Sequence, residues 1–248
     1  MRETFEKERI QIGKGEMATT YLWNGYAYKC FKEGYPKKWM AYEASIQRAI
    51  SQTHLLVPHY YESEFPNSIK MDYIEGINRG ERMQSEGYQN DLEDLLDLMA
   101  QIHKVRDIEI PLLKPTLLKE IEKADIEEVI KQQALRYIES IEDGRCLCHL
   151  DFHPSNVMYV DGHNYMIDWM TAKLGNPIYD YARTYVILYE IPYPLDTLYM
   201  NLLEQEQKID MDILYKAILV MAVQRLNEHN NETIRRLIKD ISHKLRGV

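Results

Sequence analysis

The sequence HLDFHPSNVMYVDGHNYMIDW, residues 149–169, gathers titratable and amide side chains between short apolar runs. Two of these runs flank an Asp-Gly pair and predict two short strands, since Asp-Gly favours a hairpin turn. Asp151, Asn156 and Asp168 supply carboxylate and amide oxygens, the ligands that Mg²⁺ prefers over the nitrogen and sulfur that zinc favours. The segment therefore predicts a magnesium site for phosphoryl transfer, with one carboxylate left as a proton acceptor.

Length and composition are those of an ordinary globular protein. The 248 residues, 45% hydrophobic and 28% charged, can bury the core of one large domain or of two lobes. The net charge of −9 disfavours nucleic acid and anionic membranes as partners, because both repel an acidic surface. The charged amino terminus lacks a signal peptide, and the longest aliphatic run, AILVMAV, is too short to cross a membrane. We therefore expect a cytoplasmic protein.

Three cysteines, Cys30, Cys146 and Cys148, give little support for a metal site or a disulfide framework. Their number is odd, and a C-x-C pair without a second pair is weak evidence for zinc. Free cysteines are often buried. We expect Cys146 and Cys148 on one face of a buried strand.

The chain changes texture near residue 75. Up to about Tyr73 it predicts strands around an Asn24-Gly25 hairpin turn and one helix opened by Pro36. Beyond that point apolar residues recur at helical spacing. Helices are predicted around residues 92–102 and across 117–142, 178–188, 212–225 and 232–245. The result is an α+β protein with a sheet lobe, residues 1–74, and a larger helical lobe, residues 75–248.

The segment HLDFHPSN followed by IDW resembles the catalytic loop and metal-binding segment of the aminoglycoside phosphotransferase and choline kinase superfamily. This resemblance implies a bilobal protein-kinase-like fold, with ATP and Mg²⁺ as cofactors. It makes Asp151 the catalytic base, Asn156 and Asp168 the magnesium ligands, and His149 a structural residue of the loop. His153 stands where protein kinases carry a lysine, so we expect it near the transferred phosphate.

A later segment, GNPIYDYA, resembles the next motif of the same family. The resemblance implies that Asp180, after the turn at Pro177, supports the catalytic loop through backbone hydrogen bonds. Three matches in the family's order are specific, whereas a lone His-x-Asp would not be.

The expected sheet lobe has candidates for each part of a nucleotide site. Gly13 and Gly15 would let the backbone approach phosphates, although the third glycine of G-x-G-x-x-G is missing. Lys29, on the third predicted strand, stands where this fold keeps its phosphate-binding lysine. Glu43, on the helix opened by Pro36, is its predicted ion-pair partner.

The segment KMDYIEG resembles the connection between the two lobes of such enzymes. By that resemblance, backbone groups from Asp72 to Ile74 would meet adenine. Met71 would line the pocket behind the base.

Two other functions are compatible with some of these residues. His149, Asp151 and His153 could hold a hydrolytic metal if their segment were a strand, but Pro154 argues against a continuing strand. A non-catalytic pseudokinase would use the same fold, and the complete residue set disfavours it.

The phosphate acceptor is predicted only by class: a hydroxylated small molecule, with a cationic one favoured by the acidic chain. The tyrosine-rich segment from Tyr181 to Tyr189 could hold an ammonium by cation–π attraction, or its helical spacing could mark a core stripe. Aminoglycosides, choline-like amines, sugars and other metabolites all remain as acceptors. A protein acceptor stays open too.

Overall fold

The computed structural model describes residues 2–86, 90–205 and 209–247, and these residues form ten α-helices and ten β-strands. The helices are α1 Arg2–Glu8, α2 Lys37–Ile50, α3 Arg79–Glu86, α4 Asp91–Ile102, α5 Leu113–Lys123, α6 Glu128–Ser140, α7 Ile178–Tyr189, α8 Leu195–Gln205, α9 Met211–Glu228 and α10 Glu232–Arg246. The strands are β1 Ile10–Lys14, β2 Ala18–Trp23, β3 Tyr26–Phe31, β4 Tyr60–Tyr61, β5 Ser68–Asp72, β6 Ile77–Asn78, β7 Cys146–Cys148, β8 Val157–Val160, β9 His163–Met166 and β10 Lys173–Gly175.

The chain divides into two compact units. The first comprises residues 1–87 and 155–170, and the second comprises residues 88–154 and 171–248. The hairpin of β8 and β9 thus groups with the first unit, whereas the sequence placed it in the lobe 75–248. The functional boundary at residue 74 stays a prediction.

The first unit is built on a five-stranded antiparallel sheet of order β1-β2-β3-β5-β4. β2 and β3 join through Asn24 and Gly25, whose φ angles of 48° and 77° suit a two-residue hairpin turn. α2 begins at Lys37, directly after Pro36. The predicted hairpin and the predicted helix are both confirmed.

An aromatic cluster covers one face of this sheet. Phe5 of α1 stacks on Phe65 with ring centroids 4.3 Å apart and meets the edges of Trp23 and Tyr28. Neighbouring residues of a strand point to opposite faces of the sheet. Since Tyr28 points into this cluster, Lys29 points to the other face, towards α2. The sequence did not predict α1, which is too short to show a helical period.

A second sheet of the first unit, of order β6-β8-β9, carries the hairpin of the opening sequence. Its turn is formed by Asp161 and Gly162, with φ angles of 47° and 83°. Gly76 packs against this sheet, and a Cβ there would lie 2.3 Å from the Tyr159 carbonyl oxygen. The two predicted short strands are confirmed, and Gly76 is required by the close approach.

The second unit is a helical core around α7 and α9. The region 117–142 contains two helices, α5 and α6, and the sequence missed α3 and α8 altogether. β7 pairs with β10, and both Cys146 and Cys148 are buried in it, as predicted. No helix in the described part of the chain has the length and hydropathy that a membrane span requires.

We predict that Phe5→Ala destabilises the first unit by about 3 kcal/mol, because it leaves a cavity among the aromatic rings. Phe5 is only 3% exposed. Urea unfolding followed by tryptophan fluorescence measures the loss, since Trp23 lies in the cluster. The exposed Ile10→Ala serves as the control and should cost under about 1 kcal/mol. Equal losses at the two positions would contradict the packing role of α1.

Candidate active site

Lys29 and Glu43 form the predicted ion pair in the first unit. Lys29 lies on β3 and Glu43 on α2, and Lys29 Nζ is 2.8 Å from Glu43 Oε1. The Glu43 side chain is only 1% exposed. A buried carboxylate needs a charged partner, so the pair fixes the lysine against the helix. Its role towards a nucleotide stays a prediction.

Asp168 is the second anion beside Lys29. Its Oδ1 atom lies 3.3 Å from Lys29 Nζ, and its side chain is 46% exposed. Burial by itself lowers the pKa of Lys29, but attraction to Asp168 and Glu43 outweighs burial and raises this pKa above its ordinary value. Lys29 therefore stays charged between one buried and one solvent-facing carboxylate.

Asn156 and Asp168 lie at the ends of paired strands. Asn156 directly precedes β8, and its carbonyl oxygen accepts the Ile167 N–H at 3.0 Å. Asp168 is the next residue and has a φ of 63°, a left-handed conformation that aspartate tolerates better than most residues. Asn156 and Asp168 thus offer side-chain oxygens of the kind that Mg²⁺ binds. The Lys29 ammonium beside Asp168 suits a phosphate group on the same ion.

Tyr60 is a site residue that the sequence did not reveal. Its hydroxyl donates to Glu43 Oε1 at 3.1 Å, the same oxygen that binds Lys29. Burial, followed by the charges of Glu43 and Asp168, raises the pKa of Tyr60. One turn further along α2, Gln47 donates to the Pro58 carbonyl oxygen at 2.5 Å. No sequence period marks Tyr60, because only the pairing of β4 with β5 brings it to α2.

The glycine turn connects β1 and β2. The Gly15 N–H donates to the Ala18 carbonyl oxygen at 2.8 Å, and the register of the two strands shifts between Gln11 and Gly13. A Cβ at Gly13 or Gly15 would come no closer than 3.6 Å and 3.5 Å to its neighbours, and neither φ is positive. The fold itself therefore does not demand glycine at either position, and their contact with phosphates stays a prediction.

Met71 and Asp72 end β5, and Ile74 lies in the segment after it. The Asp72 N–H donates to the His59 carbonyl oxygen at 3.0 Å, and the Ile74 carbonyl oxygen accepts the Gly76 N–H at 3.1 Å. Adenine contacts at these residues stay a prediction. These two hydrogen bonds occupy the Asp72 N–H and the Ile74 carbonyl oxygen. The predicted adenine contacts are therefore limited to the other backbone groups of residues 72–74.

Asp151 and His153 belong to the second unit, with Asp151 Oδ2 4.0 Å from His153 Nε2. Both side chains are partly exposed, whereas His149 is fully buried. β7 ends at Cys148, so residues 149–153 are not a strand. The alternative metal site of His149, Asp151 and His153 assumed a strand here, and that assumption is wrong. The roles of Asp151 and His153 towards a substrate stay predictions.

Asp180 holds the loop before Asp151. Its fully buried carboxylate accepts the N–H groups of His149 at 3.0 Å and of Leu150 at 2.8 Å, and His103 Nε2 donates at 3.0 Å. Burial raises the pKa of Asp180, but these donors and nearby histidines bring it below its ordinary value. Cys148 lies close enough to complete a three-ligand group with His103 and Asp180. Since the carboxylate already receives three donors, the group is structural.

Three further side chains donate to carbonyl oxygens of the same loop, and the sequence predicted none of them. They are Thr171 to His149 (2.8 Å), Arg183 to Leu150 (3.2 Å) and Thr184 to Phe152 (2.7 Å). Arg183 and Thr184 follow Asp180 by three and four residues, so one face of α7 contacts the loop. The spacing was visible in the sequence, but the loop it faces was not.

Of the α7 tyrosines in the predicted stripe, Tyr181 supports the core interpretation, whereas Tyr185 and Tyr189 are half-buried. Tyr181 is buried, and Tyr185 and Tyr189 have ring centroids 6.2 Å apart. The guanidinium of Arg236 lies 5.9 Å from the Tyr189 ring centroid and donates to its hydroxyl at 3.3 Å. Tyr189 thus already has a cation of the protein beside it, which weakens the case for an ammonium site here.

A model of the phosphotransferase enzyme family, APH, matches residues 40–207, more than half of the chain. The chain belongs to this family. No curated protein sequence matches it. The matched segment contains Asp151, Asn156, Asp168 and Asp180, while Gly13, Gly15 and Lys29 precede it.

Solved structures show the same fold at low sequence identity. A thermostable mutant of aminoglycoside phosphotransferase APH(4)-Ia, in its apo form, is 13% identical with a TM-score of 0.71, over 99% of this chain and 98% of that one. Another mutant, in a ternary complex with AMP-PNP and hygromycin B, is 14% identical with a TM-score of 0.69, over 99% and 97%. Choline kinase LicA from Streptococcus pneumoniae is 14% identical with a TM-score of 0.60, over 100% and 97%. This family member therefore has the predicted kinase-like α+β fold.

We predict that Tyr60→Phe weakens nucleotide binding, because Glu43 loses a donor and holds Lys29 less firmly. The apparent KM for ATP should rise about five- to tenfold, the usual effect of losing one intramolecular hydrogen bond. Steady-state kinetics and calorimetric titration with ATP measure the change.

The matched control is Tyr28→Phe, which removes a hydroxyl that contacts Glu64 at 3.3 Å instead. It should leave the KM for ATP unchanged. An unchanged KM in Tyr60→Phe as well would show that this hydroxyl does not position Glu43.

Proposed function

We propose that the protein is an ATP- and magnesium-dependent kinase that phosphorylates a hydroxyl group of a small molecule. The observation that carries the proposal is Lys29, held charged between the buried Glu43 and the exposed Asp168. Phosphoryl transfer needs such a cation for the nucleotide phosphates, together with metal ligands and a group that orients the nucleophile. Family membership supports the same reaction class.

In this proposal the first unit binds the nucleotide. Lys29 contacts its phosphates, and the backbone at Gly13 and Gly15 covers them, since neither glycine is needed by the fold. Met71 and the backbone from Asp72 to Ile74 bind the base. The AMP-PNP and ADP complexes of structural neighbours support a nucleotide site in this fold.

Asn156 and Asp168 are the proposed magnesium ligands. When bound, Mg²⁺ neutralises phosphate charge that builds up during transfer. The backbone hydrogen bond between Asn156 and Ile167 fixes the spacing of the two ligand residues. The ion pair with Lys29, at 3.3 Å, keeps the Asp168 carboxylate beside the group that contacts the phosphates.

Asp151 is the proposed base. Its carboxylate orients the acceptor hydroxyl for attack on the γ-phosphate and takes the hydroxyl proton as the new P–O bond forms, while ADP leaves. His153, 4.0 Å away, is the proposed second contact of the transferred phosphate. A base, metal ligands and a phosphate-binding lysine present together disfavour a non-catalytic pseudokinase.

The proposed acceptor carries at least one amine. Two arguments support it: the net charge of −9, which attracts cations, and structural neighbours that are aminoglycoside and choline kinases. The tyrosines of α7 are not its proposed site, because Tyr189 already lies beside Arg236.

We predict that Asp151→Ala and Asp168→Ala fail in different ways. Asp151→Ala should lower turnover about 10²- to 10⁴-fold with nucleotide affinity retained, since it removes only the proton acceptor. Asp168→Ala should also weaken magnesium-dependent nucleotide binding. Calorimetric titration with ATP, with and without Mg²⁺, separates the two effects, and the exposed Asp143→Ala is the control. Wild-type turnover in Asp151→Ala would refute the assignment of the base.

We also predict that turnover of an amine-bearing acceptor depends on salt. Its apparent KM should rise between about 50 and 300 mM salt, because salt screens attraction beyond a Debye length of about 8 Å. The matched control is the same acceptor with its amines acetylated, whose KM should not respond to salt. Faster turnover of the acetylated form, without salt dependence, would exclude a cationic acceptor but not the kinase.

A further inference from the structure

We propose that Arg183 is a positioning residue for the catalytic loop: it fixes the Leu150 peptide and thereby the direction of Asp151. The inference rests on the proposed function, in which Asp151 is the base. It starts from one contact, because the Arg183 Nε–H donates to the Leu150 carbonyl oxygen at 3.2 Å.

Leu150 needs to be held in place. Its φ of 64° is left-handed, a conformation that a leucine adopts only when its surroundings impose it. The structure holds both of its polar backbone groups, since Asp180 accepts the N–H at 2.8 Å and Arg183 binds the carbonyl oxygen. Because Asp151 is the next residue, the Leu150–Asp151 peptide plane sets where its side chain begins.

Arg183 is unusually well placed for this task. It is 2% exposed, so its charge needs partners inside the protein. Its other nitrogens donate to Gln224 Oε1 at 3.0 Å and to Glu228 Oε2, both on α9. Burial raises the pKa of Glu228, but Arg183 and Arg225 outweigh it and lower that pKa, so the pair stays ionised. The guanidinium therefore ties the loop carbonyl to α9.

Thr184, on the same face of α7, binds the Phe152 carbonyl oxygen at 2.7 Å. The Leu150–Asp151 and Phe152–His153 peptides are thus both held by α7, and the Asp151 carboxylate itself is left partly exposed. A loss at Arg183 should therefore change the geometry of the base. Nucleotide affinity should stay the same, because the proposed nucleotide residues belong to the first unit.

The chain offers a matched control, Arg225. It belongs to the same ionic network, donates to Glu190 at 2.7 Å and to Glu228 at 3.0 Å, and its side chain is 16% exposed. Its hydrogen bonds are to these carboxylates, whereas Arg183 also binds the loop. A role of Arg183 limited to stability predicts similar behaviour of the two arginines.

The first measurement is amide hydrogen exchange, which does not depend on activity. In Arg183→Gln the amides of residues 149–152 should exchange about tenfold faster or more, the loss expected for a hydrogen bond to a charged group. In Arg225→Gln they should stay within about twofold of the wild type. Equal exchange in the two variants would overturn the proposal.

The second measurement is the division between kcat and KM for ATP. Arg183→Gln should lower kcat about tenfold or more with the KM for ATP within about twofold, and added guanidinium ion should restore part of kcat. Arg225→Gln should keep kcat even if its melting temperature falls equally. If Arg183→Gln does not fold, Arg183→Lys, which keeps the charge, replaces it and should show smaller changes of the same kind.

The outcomes separate the two proposals. A wild-type protein without ATP turnover refutes the proposed function, whatever the exchange data show. A wild type that turns over ATP, with kcat and loop exchange unchanged in the Arg183 variant, refutes the positioning role alone.

Discussion

The second unit depends on the hydrogen bonds that stabilise the buried carboxylate of Asp180. A fully desolvated charge is costly unless donors surround it, and here His103 and two loop amides supply them. The requirement works in both directions, because the loop must bring its amides to Asp180 and the helix α7 must present the carboxylate. Leu150 accepts a left-handed φ to satisfy it. Asp151 directly follows this constrained residue.

The first unit also stabilises a buried carboxylate, but with side-chain donors alone. Glu43 is buried on α2, and it is stabilised by the Lys29 ammonium and the Tyr60 hydroxyl. Lys29 in turn has the exposed Asp168 beside it. One side of the lysine is therefore fixed inside the protein, while the other faces an anion that solvent and ligands can reach.

Some of these structural features can be predicted from the sequence, and others cannot. The Asn24-Gly25 turn, the hairpin at Asp161 and the helix after Pro36 depend on local backbone preferences, so the sequence predicts them well. The pairing of Lys29 with Glu43 was predicted from the resemblance to a kinase-like fold, and the structure confirms the contact. α1 was missed because seven residues are too few to show a period, and its stability comes from Phe5 packing on distant rings.

The sequence by itself predicted the chemical character of the candidate site: oxygen ligands, one base and one lysine, in the order of a phosphotransferase family. Only the tertiary structure decided which side chains hold these groups in place. Tyr60 contacts Glu43, which is 17 residues away in the chain, and Arg183 contacts Leu150, which is 33 residues away. Such contacts arise from long-range packing and carry no local signal, since a tyrosine on a short strand or an arginine on a helix has the same pattern wherever it points. Local preferences are written in neighbouring residues, whereas hydrogen bonds between distant residues depend on how the whole chain folds.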